Sequence, residues 1–140
     1  MIDVVDSAQD RTPPEDPQEA ATRRLSYDFA VLRKAFRMRV HEGHAAEYER
    51  RHRPIWADLE RVLFEHGVRN YSIFIDERTN DLFGYAEIED EARWRAIAET
   101  DVCRRWWRHM REIMPANPDD SPIASDLREV FHIEQPTLPS

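Results

Sequence analysis

Lys34, Phe36, Met38 and Val40 alternate with Arg33, Ala35, Arg37 and Arg39, the period of two that marks a strand, and the pattern predicts one at about 32–40. His41-Glu42-Gly43-His44 opens a polar helical stretch running to His52. Pro54 marks the start of a second helical piece, where Ile55, Leu59, Val62 and Leu63 recur at three- and four-residue spacings and form an apolar stripe. Gly67 is placed to stop it. Val68 to Ile75 reads as a second strand, Asp76 to Asp81 as a polar turn and Leu82 to Ile88 as a third strand, so the pair is a hairpin. Glu89 to Met114 divides into two helical segments with Asp101 as the N-cap between them. Pro115, Pro118 and Pro122 impose an irregular loop, after which Leu127 to Ile133 returns to strand residues.

The order strand, helix, strand, strand, helix, strand is that of a ferredoxin-like α+β unit with its helices on one sheet face. The other face should then be polar in a monomer, but the pattern is apolar on both sides. Strand 2 sets Tyr71, Ile73 and Ile75 against Val68 and Phe74; strand 3 sets Leu82, Ala86 and Ile88 against Phe83 and Tyr85. Two-sided burial of an antiparallel sheet calls for a second covering layer, most simply the same sheet of a second copy, and so predicts a homodimer.

Composition narrows the class. The chain has 140 residues, 28 acidic against 20 basic for a net charge of -8, and one cysteine. That is one domain, expected over 32–134. Residues 1–31, rich in proline and acids, read as a disordered or weakly helical extension, and 135–140 as a flexible tail. A lone Cys103 excludes an intramolecular disulfide and points to the cytoplasm. The acidic balance argues against nucleic-acid binding, and no window approaches the ~18 apolar residues of a membrane span.

Site chemistry is narrowed by elimination. His41 and His44 are three apart with no third ligand near them, and there is no HExxH, GxGxxG, P-loop or GxSxG, so neither a metal nor a nucleotide cofactor is expected. Tyr48 and His52 lie four apart, hence on one helical face about 5–6 Å apart at Cβ, the spacing of an acid/base pair. The plainer reading of His52 is an exposed side chain in the basic run Arg50-Arg51-His52-Arg53. Trp106 and Trp107 point about 100° apart on a helix, so one can fill the core while the other lines a pocket whose apolar wall would suit the C–H face of a sugar. Two packing tryptophans are the alternative. Cys103 reads as a buried structural thiol.

Four runs resemble the L-rhamnose mutarotase family: Tyr48-Glu49-Arg50-Arg51-His52-Arg53-Pro54-Ile55-Trp56, Asn70-Tyr71-Ser72-Ile73, Thr100-Asp101-Val102-Cys103-Arg104-Arg105-Trp106-Trp107 and Met114-Pro115-Ala116-Asn117-Pro118-Asp119. The resemblance is collinear over about 32–134. It implies a dimeric α-β barrel of ferredoxin-like subunits, an isomerase that interconverts α and β anomers of L-rhamnose without a cofactor, His52 as proton donor, and Tyr48, Tyr71, Trp106 and Trp107 as sugar contacts. Two features depart from the family pattern: the extension before residue 32, and Arg53 where Asn or Asp is usual. The rival readings are a mutarotase for another aldose or an acidic sugar, a non-catalytic sugar-binding protein of the same dimeric barrel, and a monooxygenase of the related barrel.

Overall fold

The structure, a computed structural model, describes residues 31–136. Four strands form one sheet in the order β2-β3-β1-β4: β1 (Leu32–Arg39), β2 (Val68–Asp76), β3 (Asp81–Ile88) and β4 (Ser125–Leu127). Every neighbouring pair is antiparallel. Between β1 and β2 lie α1 (Ala45–Arg51) and α2 (Ala57–Glu65); between β3 and β4 lie α3 (Glu91–Ala96), a single 3-10 turn and α4 (Asp101–Met110). This is the expected ferredoxin-like α+β fold. The expected extension and the last residues of the tail lie outside the described residues.

The alternation in β1 and β3 follows the sequence pattern: Met38 is paired with Leu82 and Lys34 with Ala86, and all four face the helices. In β2 a bulge between Val68 and Asn70 shifts the register, so that Val68 pairs with Ile88 while Tyr71 pairs with Ala86. One extra residue reverses the side-chain sense of a strand. Val68 therefore joins Tyr71, Ile73 and Ile75 on the helix-facing side, and only Phe74 of the expected pair remains on the other.

Two buried clusters form the core. Met38, Val40, Tyr48, Leu59, Leu82, Val102, Trp106 and Met110 belong to the larger, with Ile113 and Met114. Val68, Ala86, Ile88, Ile97 and Cys103 form the smaller, and Val62, Leu63 and Trp107 pack against both. α4 contributes Val102, Cys103, Trp106 and Met110, a one-sided stripe at helical spacing whose opposite face is arginine-rich.

Several boundaries differ from the sequence pattern. The polar turn holding Gly43 precedes α1, which starts only at Ala45, and α2 begins at Ala57 rather than Pro54. Thr100, not Asp101, caps α4: its Oγ1 accepts the Cys103 N–H at 3.3 Å, while Asp101 is already helical and reaches Arg105 one turn on, at 2.9 Å. The last strand covers Ser125–Leu127 instead of 127–133, pairing Leu127 with Ala35 and Ser125 with Arg37. Beyond it Val130, Phe131 and Ile133 are 75–78% exposed. Their β-forming side chains produced the pattern, but a strand needs a neighbouring ladder, and within one chain these residues have none.

Candidate active site: a histidine among aromatic rings

α1 is short because Gly43 (φ +81°) breaks the chain before it and His52 closes it. Its one buried residue, Tyr48, anchors it in the core. His52, four residues on, lays its ring over the Tyr48 ring with centroids 4.4 Å apart and planes 28° from parallel. The His52 Nδ1 lies 2.8 Å from the Tyr48 carbonyl oxygen. A carbonyl only accepts, so Nδ1 carries a proton in either charge state and Nε2 is the ring atom free to gain or lose one. Burial disfavours the imidazolium and holds the His52 pKa below the ordinary histidine value, partly opposed by the bond to Tyr48.

Trp106 stands edge-on to His52, centroids 5.2 Å apart at 89°. It is 8% exposed and part of the core, so of the two indoles it is the core-facing one. Trp107 is half-buried between the two clusters and forms no ring contact with His52. Tyr71 enters from β2. It is 36% exposed, yet burial raises its hydroxyl pKa, with the Cys103 thiol beside it as the next cause. Burial, with Tyr71 as the second cause, likewise raises the Tyr48 hydroxyl pKa. Burial pushes the Cys103 thiol up to about 11, so it stays protonated and structural.

The structure thus brings Tyr48, His52 and Trp106 into ring contact, while Tyr71 lies against Phe36 and Trp94 and Trp107 packs between the two buried clusters. Arg53 does not join them: its side chain is 78% exposed and pairs with Glu49 at 3.3 Å. Further aromatic residues extend each group. Trp56 stands edge-on to Trp106 at 5.0 Å and stacks on His109 at 5.3 Å, while Phe36 and Trp94 each lie about 6 Å from Tyr71. His109, three residues after Trp106 on α4, carries a helical-spacing signal, whereas Trp56 lies in the non-helical link between α1 and α2 and carries none. Phe36 and Trp94 gave none beyond their apolar character. Among the described residues no group of three or more His, Cys, Asp or Glu is placed to hold a metal ion.

A ferredoxin-like domain in which His52, with one ring nitrogen free to exchange a proton, sits against a phenol and an indole has the groups that acid–base chemistry on an uncharged ring substrate would use. Comparison with known proteins gives the family. The L-rhamnose mutarotase family model covers residues 33–133. An L-rhamnose mutarotase from Opitutus terrae is 64% identical over 104 residues, which is 74% of this chain and all of the relative, and one from Salmonella dublin is 55% identical over the same extent. The crystal structure of an L-rhamnose mutarotase from Formosa agariphila superposes with a TM-score of 0.67 at 39% identity, covering 73% of this chain and 98% of that one. This chain belongs to the L-rhamnose mutarotase family.

Proposed function

We propose that this protein interconverts the α and β anomers of L-rhamnose, with His52 as proton donor and Tyr48, Tyr71, Trp106 and Trp107 contacting the sugar. Ring opening breaks the C1–O5 bond as the anomeric hydroxyl passes its proton to a water and C1=O1 forms, and that water returns the proton on closure. O5 gains a proton. Rotation about C1–C2 then presents the other face of the aldehyde, and the reverse transfers close the ring. Only protons move, so the chemistry itself calls for no cofactor. His52 supplies the O5 proton from Nε2 and recovers it on closure, while Nδ1 stays tied to the Tyr48 carbonyl. Burial makes its imidazolium readier to discharge than an exposed one. The tyrosine hydroxyls, with their pKa raised by burial, remain neutral donors for the sugar's oxygens. The indoles form a wall that excludes water from the ring.

The observation that carries this reading is the His52 ring held between Tyr48 and Trp106 with Nδ1 occupied, in a chain of this family. Saturation-difference NMR on L-rhamnose, which sees α/β exchange directly, tests it. Exchange above the spontaneous rate, unchanged after exhaustive chelation, is expected; binding without exchange would make the protein a sugar-binding module instead.

The working unit is a homodimer joined through the sheet face that the helices leave open. On that face Phe74 is 66%, Phe83 37% and Leu127 39% exposed, and the apolar segment after β4 lies beside it. Arg33 and Glu129 pair there at 2.9 Å and hold the start of that segment to the sheet. We place the protein in the cytoplasm, acting on a free sugar with neither nucleic acid nor membrane as partner; no helix among the described residues is long and apolar enough to cross a membrane.

A further inference from the structure

We propose that Arg51 is a positioning residue for His52, tying the last turn of α1 to the C-terminal end of α4. The proposal rests on the reading of His52 as the proton donor. α1 has seven residues, one of them buried, and no side-chain N-cap. A helix this short is not held by its own hydrogen bonds, since nucleation is costly and propagation has barely begun. Its place must come from tertiary contacts. The His52 ring is fixed to α1 by the Nδ1 bond and the Tyr48 stack, so any displacement of α1 displaces Nε2 equally.

Apart from Tyr48, the tie that holds this turn is Arg51. Its Nε donates to Glu47 Oε2 at 2.6 Å, its Nη1 to the His109 carbonyl at 2.6 Å and its Nη2 to Glu112 Oε1 at 3.0 Å. The side chain is 14% exposed, so these bonds compete little with water. His109 lies in the last turn of α4, where carbonyls lack helical partners and the helix dipole favours a cation. One planar guanidinium therefore spans an α1 carboxylate, the α4 terminus and the residues after it. α4 also carries Trp106, the other ring against His52. The clamp sets the distance between the donor and the wall it works against. A lysine would keep the charge but not the three-way fork.

The test compares Arg51→Met and Arg51→Lys with Arg50→Gln, whose wild-type side chain is 75% exposed and pairs with the same Glu47 from outside. Three readouts are taken: kcat and KM for L-rhamnose exchange, the imidazole ¹⁵N–¹H signal of His52 Nδ1, and the thermal midpoint. Arg51→Met should lower kcat about 10- to 100-fold, the usual scale for a misplaced catalytic group, with KM within about threefold. Its Nδ1 signal should shift or broaden. Arg51→Lys should fall between, and Arg50→Gln should match wild type. If Arg51→Met does not fold, Arg51→Lys and Glu112→Gln carry the same readouts; the Glu112 side chain is 64% exposed. Folded Arg51 variants with a lower midpoint but wild-type kcat and an unchanged His52 signal would overturn the proposal. Should the wild type show no exchange at all, the functional reading fails, and dependence of the Nδ1 signal on Arg51 still decides the clamp.

Discussion

At the scale of single residues, the proposed chemistry turns on which form of His52 the fold prefers. Burial favours the neutral ring, and the same sign holds for His109, where burial and the neighbouring Arg51 charge lower the pKa. A histidine whose folded pKa lies below its unfolded value of about 6.5 binds fewer protons folded than unfolded between the two. Stability from these groups is therefore full above about pH 6.5 and lost as pH falls through the depressed folded values. The thermal midpoint should drop on acidification through that window, and His52→Gln should flatten the part that His52 carries. An acid-side drop of equal size in the variant would show that its burial has no such cost. Spacing made the Tyr48–His52 pair legible, because four residues on a helix fix a shared face. It could not reveal that His52 Nδ1 is occupied by a backbone carbonyl, since that depends on where the helix ends.

At the scale of elements, the site depends on how closely β1 and β3 approach. A Cβ built on Gly84 would meet the Phe36 ring at 2.5 Å, so the glycine is the space in which that ring lies. Phe36 in turn stands edge-on to Tyr71 at 6.0 Å. Gly84→Ala should push Phe36 against Tyr71 and Trp94 and cost about 1–3 kcal/mol of stability, the usual range for overpacking, measurable by denaturant unfolding. An unchanged unfolding midpoint would mean that the ring moves freely. Strand periodicity identified three strands because their alternation is local. It misplaced Val68, because nothing in Val68-Arg69-Asn70 marks a bulge, and it misplaced β4, because its extent is set by what β1 offers as a partner. The cap at Thr100 was missed by one residue for a related reason: threonine and aspartate are both good N-caps, and only backbone geometry chooses between them.

At the scale of the whole molecule, the sheet is finished on one side only. The helices and their two clusters cover one face, while Phe74, Phe83 and Leu127 remain exposed on the other, next to Val130, Phe131 and Ile133. Exposed apolar area of this kind is characteristic of a contact between chains. Light scattering at micromolar concentration should give the mass of two chains, and Phe74→Glu should reduce it toward one; a single-chain mass for the wild type would remove the dimer. The apolar character of both faces was readable from alternation alone. The two aromatic groups were not, because Phe36, Tyr71 and Trp94 come from three elements, as His52, Trp56 and His109 come from different parts of the chain, and each set meets only in three dimensions.

The proposed role of His52 is the central claim, and its most direct measurement is α/β exchange of L-rhamnose by wild type and His52→Ala, each checked for folding by circular dichroism. Loss of a positioned proton donor should reduce exchange by about 10²- to 10⁴-fold. Sugar affinity should fall far less, since Tyr48, Tyr71, Trp106 and Trp107 remain. A folded His52→Ala protein with near wild-type exchange would contradict the account.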